Sequence, residues 1–165
     1  VRIKHGDFGG DNADLHVFGS ARIDKTLTLG NGEVIGADIA EDFPMEKGAE
    51  PGDVMAVDLK NDGRLIKSGK PYSPIAVGIV SGHPGLIVGS DSGKGDKPLA
   101  LKGRVLCKVT DEGGKIKRGD ILVTSSKPGY AMKADVKKIT VSTQIIGVAL
   151  QNLEKEEGKI KVLVK

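Results

Sequence analysis

The sequence predicts an all-β protein, on the basis of its composition, its glycine content and a repeated pattern of short apolar runs. Of 165 residues, 24 are glycine, whereas there are only three Phe, two Tyr and no Trp. A core built from Val, Ile, Leu and Ala favours strands, because β-branched side chains pack well on a pleated surface. The many glycines then indicate turns, bulges or close backbone approaches. We predict a small β-barrel or β-clip-like domain.

Residues 15–29 alternate between apolar and polar or small side chains, which predicts extended structure. This run is longer than an ordinary globular strand of about five or six residues. It indicates a fibre-like β stalk over residues 1–32, followed by a compact β domain over residues 33–165. The apolar stripe would pack against the same stripe of a symmetry mate, which favours a homo-oligomer. The alternative is a single hairpin broken near Gly19 and Ser20.

The compact part of the sequence contains an internal duplication. Pro51–Val57 (PGDVMAV) resembles Arg118–Thr124 (RGDILVT), and Ile75–Val80 (IAVGIV) resembles Gln144–Leu150 (QIIGVAL). Within each unit the two segments are separated by nearly the same length of chain, from Asp53 to Gly78 in the first and from Asp120 to Gly147 in the second. Gly-Asp ahead of an apolar run predicts a turn that leads into a strand, and a lone glycine within such a run predicts a bulge or a close crossing. We therefore predict a barrel made of two similar β units.

Other motifs define the remaining elements. Asn61-Asp62-Gly63 predicts a hairpin turn between two short apolar runs. We predict a pair of strands over residues 99–109 and a closing strand over residues 159–165. Gly89–Asp96 is predicted to be a surface loop. Cys107 lies in an apolar run as the only cysteine, so we predict a small core residue rather than a nucleophile.

Several classes of partner and cofactor are disfavoured. The formal net charge is +3, from 25 Lys and Arg against 22 Asp and Glu in mixed order, and no aromatic residue accompanies the lysines of residues 133–138. We therefore expect no nucleic acid partner. No apolar run is long enough to span a bilayer, so we expect no membrane insertion. The acidic clusters lack the ligand order of a calcium loop, and residues 89–96 lack the spacing of a phosphate loop. We expect no metal and no cofactor.

The acidic segment Gly36–Phe43 (GADIAEDF) is the main candidate for chemistry. Asp38 and Glu41 would share a face on a helical or 3₁₀ turn, whereas in a strand their side chains would point to opposite sides. Pro44 limits any helical turn to the residues before it. The alternative interpretation is an ordinary solvated corner. Ser81 and His83 lie in a tight loop, Ser81–Gly85, where their spacing does not favour a nucleophile and base pair.

Two motifs give a resemblance to a known family. Gly36–Phe43, together with residues 74–89 (PIAVGIVSGHPGLIVG), resembles the C-terminal domain of phage tail fibres and pre-neck appendages, which is classed as a self-cleaving glutamic peptidase of the intramolecular chaperone type. The resemblance implies Asp38 and Glu41 as the catalytic acids and a scissile bond at or near Ala37–Asp38. It places Ser81, His83 and Pro84 in a loop near that site. Ile39, His83 and Ala37 depart from the family pattern.

The resemblance implies a structural and assembly module that forms a homotrimer within a virion tail fibre, an appendage or a phage-derived injection device made in the bacterial cytoplasm. A second interpretation is an active autoprotease that uses Asp38 and Glu41. A third is a receptor-binding or adhesive tip without catalytic activity, with a cell-surface receptor as partner. The third would use the loops at Ser81–Gly85 and at residues 90–97.

Overall fold

The computed structural model describes residues 38–89 and 96–165, and the predicted stalk, Ala37 and most of the 90–97 loop lie outside these ranges. Strands are the main regular secondary structure in the described ranges. The strands are β1 Asp38–Pro44, β2 Val54–Val57, β3 Leu65–Lys67, β4 Ala76–Val80, β5 Leu86–Val88, β6 Asp96–Thr110, β7 Ile121–Thr124, β8 Ala131–Lys133, β9 Ile145–Ala149 and β10 Glu157–Val164. Short 3₁₀ turns lie at Asp111–Gly113, Val136–Lys138 and Ser142–Gln144. The all-β prediction is confirmed.

Five strands close into a small barrel, as predicted. The ring runs β6–β8–β7–β9–β10 and returns to β6 through a long antiparallel pairing from Gly103 and Val164 at one end to Thr110 and Glu157 at the other. The parallel contact between β6 and β8 is a single pair, Val109 and Ala131. The first half of the domain has a second ring of five strands. It runs β6–β4–β2–β3, and β1 pairs with β6 on the other side. There an isolated bridge between Met45 and Leu65 closes the ring.

The predicted duplication is visible in the strand registers. Met55 pairs with Gly78 and Ala56 with Ala76, so Val77 is an extra residue in β4. In the second unit Leu122 pairs with Gly147 and Val123 with Ile145, so Ile146 is the extra residue in β9. A side chain at either glycine would collide with backbone, since an added Cβ would lie 2.8 Å from Ala100 O at Gly78 and 2.3 Å from Leu163 O at Gly147. Both glycines therefore mark a bulge and a close approach, as the sequence predicted.

Each ring has an apolar interior built from matching positions. The first interior contains Phe43, Met45, Ala49, Met55, Leu65, Val80 and Leu99. The corresponding positions of the second are Cys107, Val109, Ile116, Leu122, Ala131, Ala149 and Val162. Cys107 is fully buried, and burial raises the pKa of its thiol. Cys107 is thus a core residue, as predicted from the sequence. Its buried thiol is a poor nucleophile.

One prediction about the strands was wrong. Residues 99–109 were expected to form a pair of strands. The structure instead has one continuous strand, β6, which is 15 residues long. Gly103 adopts a positive φ of 116° and the register with β1 shifts at Leu101, so the chain absorbs the irregularity without ending the strand. One half of β6 pairs with β1 and the other half with β10.

A buried ion network joins the two units. The carboxylate of Asp53, at the start of β2, is 2.7 Å from Lys108 Nζ on β6 and 3.1 Å from Lys67 Nζ. Burial alone would raise the pKa of Asp53, but hydrogen bonds from Lys108, the Glu50 N–H and Lys67 hold it below its usual value. The second unit has a more exposed counterpart, with Asp120 3.0 Å from Lys133. The Gly-Asp turns that the sequence repeats are therefore structural ion-pair sites.

Replacing Asp53 by Asn should lower the free energy of unfolding at neutral pH by about 3 kcal/mol, because Lys108 would keep a mostly buried charge with only the exposed Glu50 as partner. The folded-state pKa of Asp53 lies below its unfolded value of 3.8. Its carboxylate therefore stabilises the fold above that pH, and the contribution is lost as the pH falls through the folded-state pKa. Urea unfolding at pH 7 and at a series of acidic pH values measures both effects.

The matched control is Asp120→Asn. This carboxylate occupies the corresponding turn but is 21% exposed, compared with 1% for Asp53. Its loss should cost less, since solvent screens a more exposed pair. Equal losses in the two variants would mean that the buried network adds nothing beyond the turn itself.

Candidate functional site

β1 separates the two candidate acids. The alternation along β1 places Asp38 and Ala40 on one face and Ile39 and Glu41 on the other. The register shift in this region adds its extra residue, Leu101, to β6, so the alternation of β1 is not interrupted. Of the two geometries considered from the sequence, the strand is the one observed. The carboxylates of Asp38 and Glu41 therefore do not form a pair within one chain.

Asp38 occupies an unusual environment for an acid. It is only 6% exposed, and its Oδ2 has no hydrogen-bond partner among the described residues. Burial raises the pKa of Asp38, and the nearby Ser81 side chain offsets part of this effect. The Ser81 hydroxyl is itself buried and lies close to Asp38 without a hydrogen bond of ordinary geometry. Asp38 is thus a carboxyl group that retains its proton to higher pH than an exposed aspartate.

The Ser81–Gly85 loop lies beside Asp38. Ser81–Gly85 connects β4 to β5, and it is fixed by the Ser81 N–H, which donates to Pro98 O at 2.8 Å, and by the Gly85 N–H, which donates to Asp38 O at 2.8 Å. Ser81 and His83 line the same cleft as Asp38. Pro84 is half-buried and is not among the residues that line the cleft. The fold therefore brings Asp38, Ser81 and His83 together in one cleft, although Asp38 is far from the other two in the sequence.

The cleft has a volume of about 570 Å³ and contains three cations that sequence reasoning did not assign to it. It is lined by Asp38, Pro51, Ser81, Gly82, His83, Arg104, Val105, Leu106, Lys159 and Lys161. Arg104 comes from β6, whereas Lys159 and Lys161 come from β10. The alternation of lysine with apolar residues in 159–165 was a signal that these side chains share the outer face of their strand. Only the pairing of β10 with β6 shows that this face borders Asp38.

Glu41 lies elsewhere, beside the end of β5. A Cβ added to Gly89 would lie 2.9 Å from Glu41 Oε1, so the carboxylate packs against the backbone there. Gly89 has a positive φ of 65°, which also favours glycine. Glu41 is half-buried and does not line the Asp38 cleft. Ser81 and His83 therefore share a cleft with Asp38 but not with Glu41.

Comparison of the two β units shows that the Asp38 cleft is not required by the fold. The residue of β6 that corresponds to Asp38 is Lys102, which is exposed, and the residue that corresponds to Ser81 is Leu150. Asp53 and Asp120, in contrast, occupy matching turns in both units. A feature shared by both units serves their common architecture. The combination of a buried acid with a buried hydroxyl occurs in one unit alone among the described residues, which marks it as the candidate site.

Comparison with solved structures finds matches that include two forms of one phage protein. The crystal structure of the bacteriophage phi29 gene product 12 C-terminal fragment aligns with a TM-score of 0.54 and 16% identity, over 78% of this chain and 100% of that one. The pre-mature bacteriophage phi29 gene product 12 aligns with a TM-score of 0.56 and 16% identity, over 90% of this chain. These matches show a shared fold. The chain spans 24% of the length of the pre-mature protein.

No family model matches the chain, and no curated protein does. Residues 38–89 and 96–165 contain no group of three or more His, Cys, Asp or Glu side chains placed to hold a metal ion. Within the same part of the chain, no helix has the length and apolar character needed to cross a membrane.

Asp38→Asn should raise the free energy of unfolding at neutral pH by on the order of 1 kcal/mol, because an ionised carboxylate without a partner is costly to bury. Burial raises the folded-state pKa above the unfolded value of 3.8. Stability is therefore lost as the wild-type carboxyl ionises between these two values, and the advantage of the variant disappears at lower pH. Thermal and urea unfolding at a series of pH values measure this difference.

Asp42→Asn is the control, since Asp42 lies on the same face of β1 but is less buried. It should show no comparable gain. A loss of stability in Asp38→Asn at neutral pH would contradict the account of an unpartnered, desolvated acid.

Proposed function

We propose that this chain is the trimerising assembly domain of a phage tail-fibre or appendage-like protein and that it is part of the virion. The observation that carries the proposal is the fold shared with the pre-mature form of phi29 gene product 12 over most of the chain. The apolar stripe predicted for residues 15–29 supports it, because a stalk of this kind needs a symmetry mate to cover its apolar side. The domain over residues 33–165 would then hold several chains in register.

We further propose that assembly leads to self-cleavage at the Ala37–Asp38 bond. Hydrolysis requires water to add to the Ala37 carbonyl carbon, the C–N bond to break and the Asp38 amine to gain a proton. The carboxyl of Asp38, whose pKa is raised by burial, is suited to supply that proton at the residue where it is needed. The second requirement is a base that activates the water.

Glu41 is the second catalytic residue that the family resemblance implies, and we propose it as the base, but within one chain it does not line the Asp38 cleft. The proposal is therefore that Glu41 acts on the bond of a neighbouring chain. Self-cleavage would then depend on assembly, since no single chain would contain a complete site. This dependence is what a maturation step requires, because release follows only after the chains are in register.

The proposal predicts a trimer. Light scattering of the 165-residue chain should give three times the chain mass of 17.3 kDa. The assembly should dissociate on dilution without loss of the β-sheet signal in circular dichroism, because each chain has its own closed barrel. A monomer at all concentrations would contradict the assembly function.

The proposal also predicts a fragment that begins at Asp38. Mass spectrometry of freshly expressed protein should show this fragment, and Asp38→Asn and Glu41→Gln should each remain intact. Co-assembly of the two variants should restore cleavage only in the chains that carry Glu41→Gln, because those chains retain Asp38 and receive Glu41 from a neighbour. Intact wild-type protein would contradict self-cleavage, and cleavage of wild type without any restoration in the mixture would contradict action between chains.

A further inference from the structure

β5 is an apolar strand that is exposed on both faces. Leu86 is 45% exposed, Ile87 43% and Val88 40%. Successive side chains of a strand point to opposite faces, so neither face of β5 is covered. Within the described part of the chain β5 pairs only with β1, which leaves its other edge free. An exposed apolar edge strand promotes association with other chains, and proteins normally protect it with charges or a covering element.

Nothing in the barrel requires β5. In the second unit β9 is followed directly by β10, with residues 150–156 between them and no strand in the connection. That unit closes its ring without any counterpart of β5. In the first unit the corresponding connection, from β4 to β6, is longer and includes β5. The strand is thus an addition to one unit, and its apolar side chains do not contribute to either ring interior.

The apolar surface extends from β5 onto β1. Ile39 is the register partner of Leu86 and is also 45% exposed. Ile39, Leu86, Ile87 and Val88 together form what we term the β5 surface. Glu41, the register partner of Val88, borders this surface and is half-buried. A group of neighbouring exposed aliphatic side chains at a sheet edge is suited to burial against another protein surface.

We infer that the β5 surface is the site where a second copy of this chain docks. The inference rests on the proposed assembly function and names the surface that the assembly uses. Residues 33–37 connect the proposed stalk to β1, and five extended residues span less than about 20 Å. If the stalks of several copies associate, the β1 strands of those copies, and with them β5, are tethered within reach of one another. Association of the stalks would therefore keep a second copy at high local concentration near this surface.

The contact is one between apolar side chains. In a ring of three chains each contact is heterologous, so the surface of one chain packs against a different part of the next. Leu86 and Val88 project from one face of β5 and Ile87 from the other. Substitutions on the two faces therefore probe the contact independently.

The test uses the 165-residue chain with Leu86→Asp and, separately, Ile87→Asp, and measures self-association by light scattering over a concentration series. At least one variant should associate more weakly by about tenfold or more, since a buried contact residue has an effect of this size. The matched control is Val136→Asp, in which another exposed aliphatic residue, 62% exposed and in the second unit, is replaced. It should associate like wild type.

Each outcome bears on the inference. If wild type assembles and both β5 variants assemble equally well, the β5 surface is not the docking site, while the proposed function stands. If wild type is a monomer, both fail. Should the variants be unfolded in circular dichroism, hydrogen exchange of the wild-type amides of residues 86–88 decides: slower exchange on assembly supports the inference, and unchanged exchange overturns it.

Discussion

A single strand shared by two rings is the constraint on which the domain depends. One half of β6 pairs with β1 and β4, and the other half with β10 and β8. Neither ring closes without its half of this strand. The Leu101 bulge and the left-handed backbone of Gly103 lie where the strand passes from one ring to the other, as expected because bulges bend a strand and increase its twist. The ion network of Asp53 with Lys108 then fixes the first ring to the second half of the strand.

Duplication separates structural residues from residues available for function. The bulge glycines Gly78 and Gly147 and the turn acids Asp53 and Asp120 occupy matching positions, so they serve the architecture that both units share. The Asp38 cleft and β5 occur in the first unit only. Both lie against β1, the strand that follows the proposed stalk. The features that exceed the needs of folding are thus concentrated at the junction where assembly and cleavage are proposed to take place.

The same residue type has opposite properties in these two classes of position. Asp53 and Asp120 have lowered pKa values, because lysines and backbone N–H groups stabilise the charged form against the effect of burial. Asp38 has a raised pKa because burial is not compensated. Paired acids stabilise the fold at neutral pH, whereas an unpaired acid costs stability there. A cost at one position without structural benefit is typical of a functional site.

The amino-acid sequence was sufficient to predict the all-β class, the two similar units, the hairpin at Asn61-Asp62-Gly63 and the bulges at Gly78 and Gly147. These follow from local chemistry, since turn residues and alternating side chains act over a few positions. The folded chain was needed to show that β6 is continuous and that Asp38 and Glu41 face opposite sides of β1. It was also needed to show that Arg104, Lys159 and Lys161 border the Asp38 cleft. Each of these depends on which strands pair and in what register, and pairing between residues distant in sequence is set by the packing of the whole barrel rather than by any local pattern.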